Sequence, residues 1–187
     1  MELKTAIQKR HSTHKFSSKK PDWRDIIESL DYSRFAPMAG DIYNLKWILI
    51  EDKEKIQKIA KAAQQNFIAT AHYLVVACSE PKLTVNAYGE RGEKYTRQQA
   101  GAAIQNFLLA LEERGLATCW IGHFVDNQIQ NILHIPGDIE IEAVFPIGYE
   151  YPNQSRRKRK IELDRITYYH KWKEEKMRRP PEPRRNA

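Results

Sequence analysis

The chain has 187 residues, 41% hydrophobic and 29% charged, with a formal net charge of +7. That length suits one domain with a substantial core, and no apolar run approaches the ~20 residues that cross a bilayer. The charge is local, since residues 156–187 hold 13 Lys and Arg against 5 Asp and Glu while the rest holds 18 against 19; the body therefore lacks the basic face of a nucleic-acid binder.

Residues 2–10 read as a short amphipathic helix with Leu3, Ala6 and Ile7 on one side. The stretch is too polar for a secretion signal, and a cytoplasmic protein is expected. Arg10, His11, Ser12, Thr13 and His14 follow where the chain turns. Arg10 offers a planar fork and Ser12 a hydroxyl to an anion; by itself the segment is a solvated polar turn. His11 and His14 stand three apart, but no second pair of ligands accompanies them, so no metal site is expected. Asp22 caps a helix carrying Ile26, Ile27 and Leu30 on one face. Residues 36–44, with Pro37 and Gly40, read as a tight loop able to turn backbone N–H groups toward a ligand.

A strand is expected at 45–50, a helix from about 54 to 63, and a second strand at 72–78. Residues 80–93 contain Pro81, Gly89, Gly92 and several charges, and read as an exposed loop or lid. The next helix is apolar almost all round. Ala100, Gly101, Ala102 and Ala103 remove bulk, while Ile104, Phe107, Leu108 and Leu111 add apolar surface at helical spacing. It belongs in the middle of a domain or across a subunit interface. Gly115 stops it, and 117–121 reads as a short buried strand ending on Gly122, where a flat ligand could approach the backbone. A buried helix and strand with no ligand would show the same pattern. Cys78 and Cys119 sit in apolar runs and read as buried free thiols, with no disulfide framework.

A helix at 126–133, closed by Pro136 and Gly137, and a strand at 139–149 complete the body. The basic run Arg156, Arg157, Lys158, Arg159 and Lys160 reads as a solvated segment or an anion site. Residues 163–172, with Ile166, Tyr168, Tyr169 and Trp172, are too apolar to float free and read as an arm on the same or a neighbouring subunit. From Lys173 onward, three prolines and many charges suggest loose extended structure. One domain at 1–172 and a basic tail at 173–187 are expected. The class is α+β, a central sheet covered by helices on both faces.

Four fragments fall in an order that resembles the FMN-dependent nitroreductase family: RHSTHKF at 10–16, APMAGDIYNLKWILIED at 36–52, QQAGAAIQNFLLALEERGLATCWIG at 98–122, and IGYEYP followed by RRKRK within 147–160. The resemblance implies a mixed sheet and an obligate homodimer. Its C-terminal arms are exchanged, and FMN lies at the interface, contacted by both chains. It also implies NAD(P)H-dependent reduction of nitroaromatics, quinones or similar small acceptors by a ping-pong mechanism. Arg10, His11 and Ser12 match the segment near the phosphate and ribityl chain. His14 stands where the family has a permanent cation beside the flavin, a charge that histidine carries only when protonated.

Pro37, Met38, Ala39 and Gly40 match the loop beside the isoalloxazine. Met38, Asp41 and Tyr43 replace that loop's serine, asparagine and glutamine, so backbone contacts carry over better than side-chain ones. Ile121, Gly122 and His123 match a strand end that meets the flavin through backbone. Of the basic run, Arg157 and Arg159 are chosen for the phosphate, because alternate residues of an extended segment face one side. No side chain is assigned a catalytic role, since the cofactor performs the redox step. The alternatives are dehalogenase or flavin-fragmenting chemistry on the same fold, or a flavin-binding protein of little turnover whose basic tail associates with nucleic acid.

Overall fold

The sheet is built around Tyr73–Ser79, a strand buried at all seven positions. It is β2 of four: β1 is Leu45–Ile50, β3 Ala117–Thr118 and β4 Glu140–Gly148. Their order is β1-β2-β4-β3, with every neighbouring pair antiparallel. The sheet is therefore antiparallel throughout and not mixed as expected; the one parallel feature beside it is an isolated bridge from Ser12 to Thr118. The computed structural model describes residues 1–152 and 161–177 and divides the chain into two units, 1–154 and 155–187.

Alternation along β2 assigns its side chains to two cores. Tyr73, Val75 and Ala77 meet Ile26, Ile104, Phe107, Leu108 and Leu111 on one face. Leu74, Val76 and Cys78 meet Ile56, Ile59, Ala60 and Ile129 on the other. Helices therefore cover both faces. Helices α2 (Trp23–Asp31) and α5 (Arg91–Glu113) lie on the first, and α3 (Lys53–Ala62) and α6 (Asp126–Leu133) on the second. Helix α1 (Leu3–Lys9) packs on α5, as does α4 (Pro81–Tyr88). In β4 the alternation breaks at a bulge opposite Ala77 and Cys78. One extra residue reverses side-chain parity, which sends Ile141 to the second core and Ala143, Phe145 and Ile147 to the first.

Local chemistry fixes the ends. Asp22 accepts a bond from the Arg24 N–H at 2.9 Å, and Asp52 accepts from Glu54 and Lys55 at the head of α3. Helix α5 closes with the Gly115 N–H donating to Glu112 and the Leu116 N–H to Leu111, Gly115 standing at φ 70°. This paired closure needs a residue at ease in the left-handed region.

Two further expectations are corrected. Residues 80–93 are not a loose lid: Pro81 starts α4 at a position where its missing N–H costs nothing, and Gly89 ends it at φ 58°. The strand expected at 117–121 is interrupted. Ala117 and Thr118 pair with Gly148 and Ile147, and Ile121 exchanges both backbone bonds with Val144. In that register Cys119 faces Pro146, which has no N–H to give.

In the second unit, Leu163–Arg165 forms a 3-10 turn and Tyr168 packs edge-on against Trp172 at 5.0 Å. The basic run at 156–160, with Arg157 and Arg159, and the last ten residues of the tail lie outside the described residues.

Candidate functional site

After α1 the chain runs alongside the short β3. The Thr13 N–H donates to the Thr118 carbonyl at 2.9 Å, and Ser12 bridges Thr118. Further along, the Ser17 N–H donates to Tyr149 and the Tyr151 N–H to Lys15. The first of these bonds bring 10–14 against Thr118 and Cys119, more than a hundred residues away in the chain. Arg10, Ser12 and His14 are thereby gathered beside Cys119, with Ile121, Gly122 and His123 just beyond.

Cys119 reports who its neighbours are. Burial pushes its thiol up, while the Ser12 hydroxyl and the Arg10 charge pull it the other way. Its Sγ lies 3.3 Å from His14 Nε2, and the His14 ring packs on Phe67 at 4.6 Å between centroids. The same thiol also reaches the Trp120 carbonyl at 3.9 Å. Thr118, 5% exposed, leaves its hydroxyl oxygen buried with no hydrogen-bond partner. Gly122 and His123 are exposed, and nothing stands within 4 Å of where a Cβ on Gly122 would project.

His11 behaves differently from its neighbours. Its Nε2 meets Glu150 Oε1 at 2.7 Å, and its Nδ1 donates to the Lys9 carbonyl at 3.0 Å. Both ring nitrogens are committed within the protein. The ring fastens the 10–14 turn to the end of β4 instead of facing outward.

Pro37, Met38, Ala39 and Gly40 form a second group. Pro37, Met38 and Ala39 line a 310 Å3 cavity with Tyr95, Gln98, Gln99 and Ala102 of α5. Gly40 and Asp41 are both left-handed, each at φ 56°. A side chain at Gly40 would also collide with the Tyr88 hydroxyl. Among the described residues, no hydrogen bond, ion pair or ring contact joins this group to 10–14 or 121–123. Within one chain the expected residues thus fall into two groups.

Gln99 and Asn44 escape a reading based on apolar periodicity. Both are buried, at 3% and 0% exposure. A signal existed for Gln99: Gly92, Thr96, Gln99, Ala103 and Phe107 recur every three or four residues and are all buried. The polar amide therefore sits on the inward stripe of α5. Glu150, the partner of His11, gave no such signal.

A 500 Å3 groove lies elsewhere, between α1, α5 and the turn at 32–35, lined by Leu3, Tyr32, Phe35, Leu109 and Ala110 among others. It contains none of the expected site residues.

The family model described as "Nitroreductase family" matches residues 7–149. A protein of Archaeoglobus fulgidus, provisionally named NADH dehydrogenase/NAD(P)H nitroreductase, is 27% identical over 148 residues, covering 76% of this chain and 82% of its own. The iodotyrosine deiodinase of Thermotoga neapolitana is 23% identical over 158 residues, covering 76% and 85%. Among solved structures, an FMN-dependent nitroreductase of Clostridium difficile superposes with a TM-score of 0.75 at 18% identity, covering 89% of this chain and 98% of that one.

Proposed function

Because this chain belongs to the nitroreductase family, we propose that it is an FMN-dependent oxidoreductase. It takes reducing equivalents from NAD(P)H and delivers them to a nitroaromatic, quinone or similar small acceptor. The observation that carries this reading is the meeting of 10–14 with Thr118 and Cys119, which gathers an arginine, a hydroxyl and a histidine about that thiol, three residues before the exposed Gly122.

The residues present fit the cofactor. Arg10 and Ser12 supply a guanidinium and a hydroxyl for a phosphate, and the partnerless Thr118 oxygen offers one more polar contact. The open space at Gly122 admits a flat ring close to the backbone. Arg157 and Arg159 lie outside the described residues; the family resemblance alone assigns them to the further charge that a dianion calls for. When bound, FMN supplies the redox chemistry, accepting hydride from the nicotinamide and returning electrons to the second substrate in alternation. The chain's own part is to bind, orient and bias. Arg10 and Ser12 would hold the phosphate end, and the backbone at Ile121, Gly122 and His123 would border the ring. His14, propped by Cys119 and Phe67, would answer the charge that develops on reduction.

Two copies complete the site, each lending its 37–40 loop to the other's 10–14 segment. Leu3 at 66% and Phe35 at 70% exposure line an apolar groove that a second copy would bury. The arm at 163–172 exchanges across the pair. The functional domain is 1–172, with 173–187 as a basic appendage.

The purified protein should be yellow and release FMN on denaturation, and it should oxidise NADH or NADPH when a quinone is added. A colourless protein that binds no added FMN would end this reading. The deiodinase relative favours a second reading, reductive dehalogenation. Iodide release from iodotyrosine under dithionite, without turnover of nicotinamide and quinone, would select it.

A further inference from the structure

A left-handed backbone is strained for most residues other than glycine, and less so for aspartate. Asp41 adopts it directly after Gly40, both at φ 56°. The loop holds this shape through its own backbone bonds, from the Asp41 N–H to Met38 and from the Ile42 N–H to Ala39, and through one side chain of α5. The Ala39 N–H donates to Gln99 Oε1 at 3.1 Å, while Gln99 Nε2 donates to the Ile42 carbonyl at 3.2 Å. One amide thus grips the loop on both sides of the strained pair. A backbone donor faces its oxygen and a backbone acceptor its nitrogen, so the amide fits in one orientation only. Gln99 Nε2 also bonds Asn44 Oδ1, and Asn44 Nδ2 reaches Thr96 Oγ1 at 3.1 Å.

We infer that Gln99 is a positioning residue, which holds the 37–41 loop in a strained, ligand-ready shape so that its backbone is preorganised for the cofactor. The inference rests on the flavin reading of that loop given above. Gln99 itself lines the 310 Å3 cavity together with Pro37, Met38 and Ala39, while Pro37, Gly40 and Asp41 are exposed.

The experiment compares Gln99→Leu with Thr96→Val, a control that disturbs the same buried network without touching the loop. Amide hydrogen exchange at Ala39 and the affinity for added FMN, read by fluorescence quenching, are measured on each full-length protein, with thermal melting alongside. Gln99→Leu should speed exchange at Ala39 and weaken FMN binding, each by about tenfold, the worth of roughly one hydrogen bond. Thr96→Val should change both by less than about twofold even where it melts earlier. Unchanged exchange at Ala39 in Gln99→Leu overturns the inference. So does a loosened loop that binds FMN as tightly as before, or a Thr96→Val protein that loses as much affinity. If the unaltered protein binds no FMN, the oxidoreductase reading fails by itself, and the positioning role fails with it whatever the exchange data give.

Discussion

His14 and Cys119 show how far one residue's identity can be interpreted. A permanent cation in the place of His14 would stabilise reduced flavin at every pH, whereas histidines in general gain and lose a proton between about pH 5 and 8. The flavin midpoint potential should therefore fall more steeply with pH than that of free FMN across that range. His14→Arg should raise the potential at the alkaline end and abolish the extra slope; identical slopes for both proteins would refute the role. Cys78 gives a prediction about stability. Burial, aided by the charge of Glu142, pushes its thiol up to about 11 from an ordinary 9.0. The unfolded chain releases that proton near the ordinary value while the folded chain still holds it. The contribution is thus complete below pH 9 and is lost as pH rises toward 11, at up to ~1.4 kcal/mol per unit. Urea midpoints measured across that window should drop more steeply for the unaltered protein than for Cys78→Val.

At the scale of elements, the seating of α4 on α5 is the least obvious feature of the fold. Gly92 is the contact point: a Cβ there would strike the backbone of Thr84 and Val85. The two glycines that read as loop punctuation thus have separate duties, Gly89 ending one helix and Gly92 letting the next approach it. Gly92→Ala should cost roughly 2 kcal/mol, in the range for overpacked contacts, read as a lower urea midpoint. Exchange should accelerate in α4 well before it does in β2. Uniform loosening of the whole domain would contradict this division. The gap in the β3 strand has an equally local origin, since Pro146 lacks the N–H that would otherwise bond Cys119.

For the whole molecule, the proposed pairing of two copies is what remains to be measured. Phe35, 70% exposed beside the apolar groove, is the residue to test. Phe35→Asp should sediment as a monomer at micromolar concentration and lose retained FMN together with NAD(P)H oxidation. A monomer that keeps its flavin would refute the shared site. Helices and strands were largely legible in the chain, because apolar spacing and caps such as Asp22 and Asp52 act within a few residues of themselves. The motif fragments likewise carried the family. Three things were not legible. The His11 and Glu150 pair joins residues 139 apart, Gln99 became a clamp only once a loop lay over it, and Gly92 became a contact only once α4 existed. Short-range sterics and hydrogen bonding are written into neighbouring residues. Which distant groups share a crevice is decided when two helical layers close on a sheet, since burial is a property of the assembled fold.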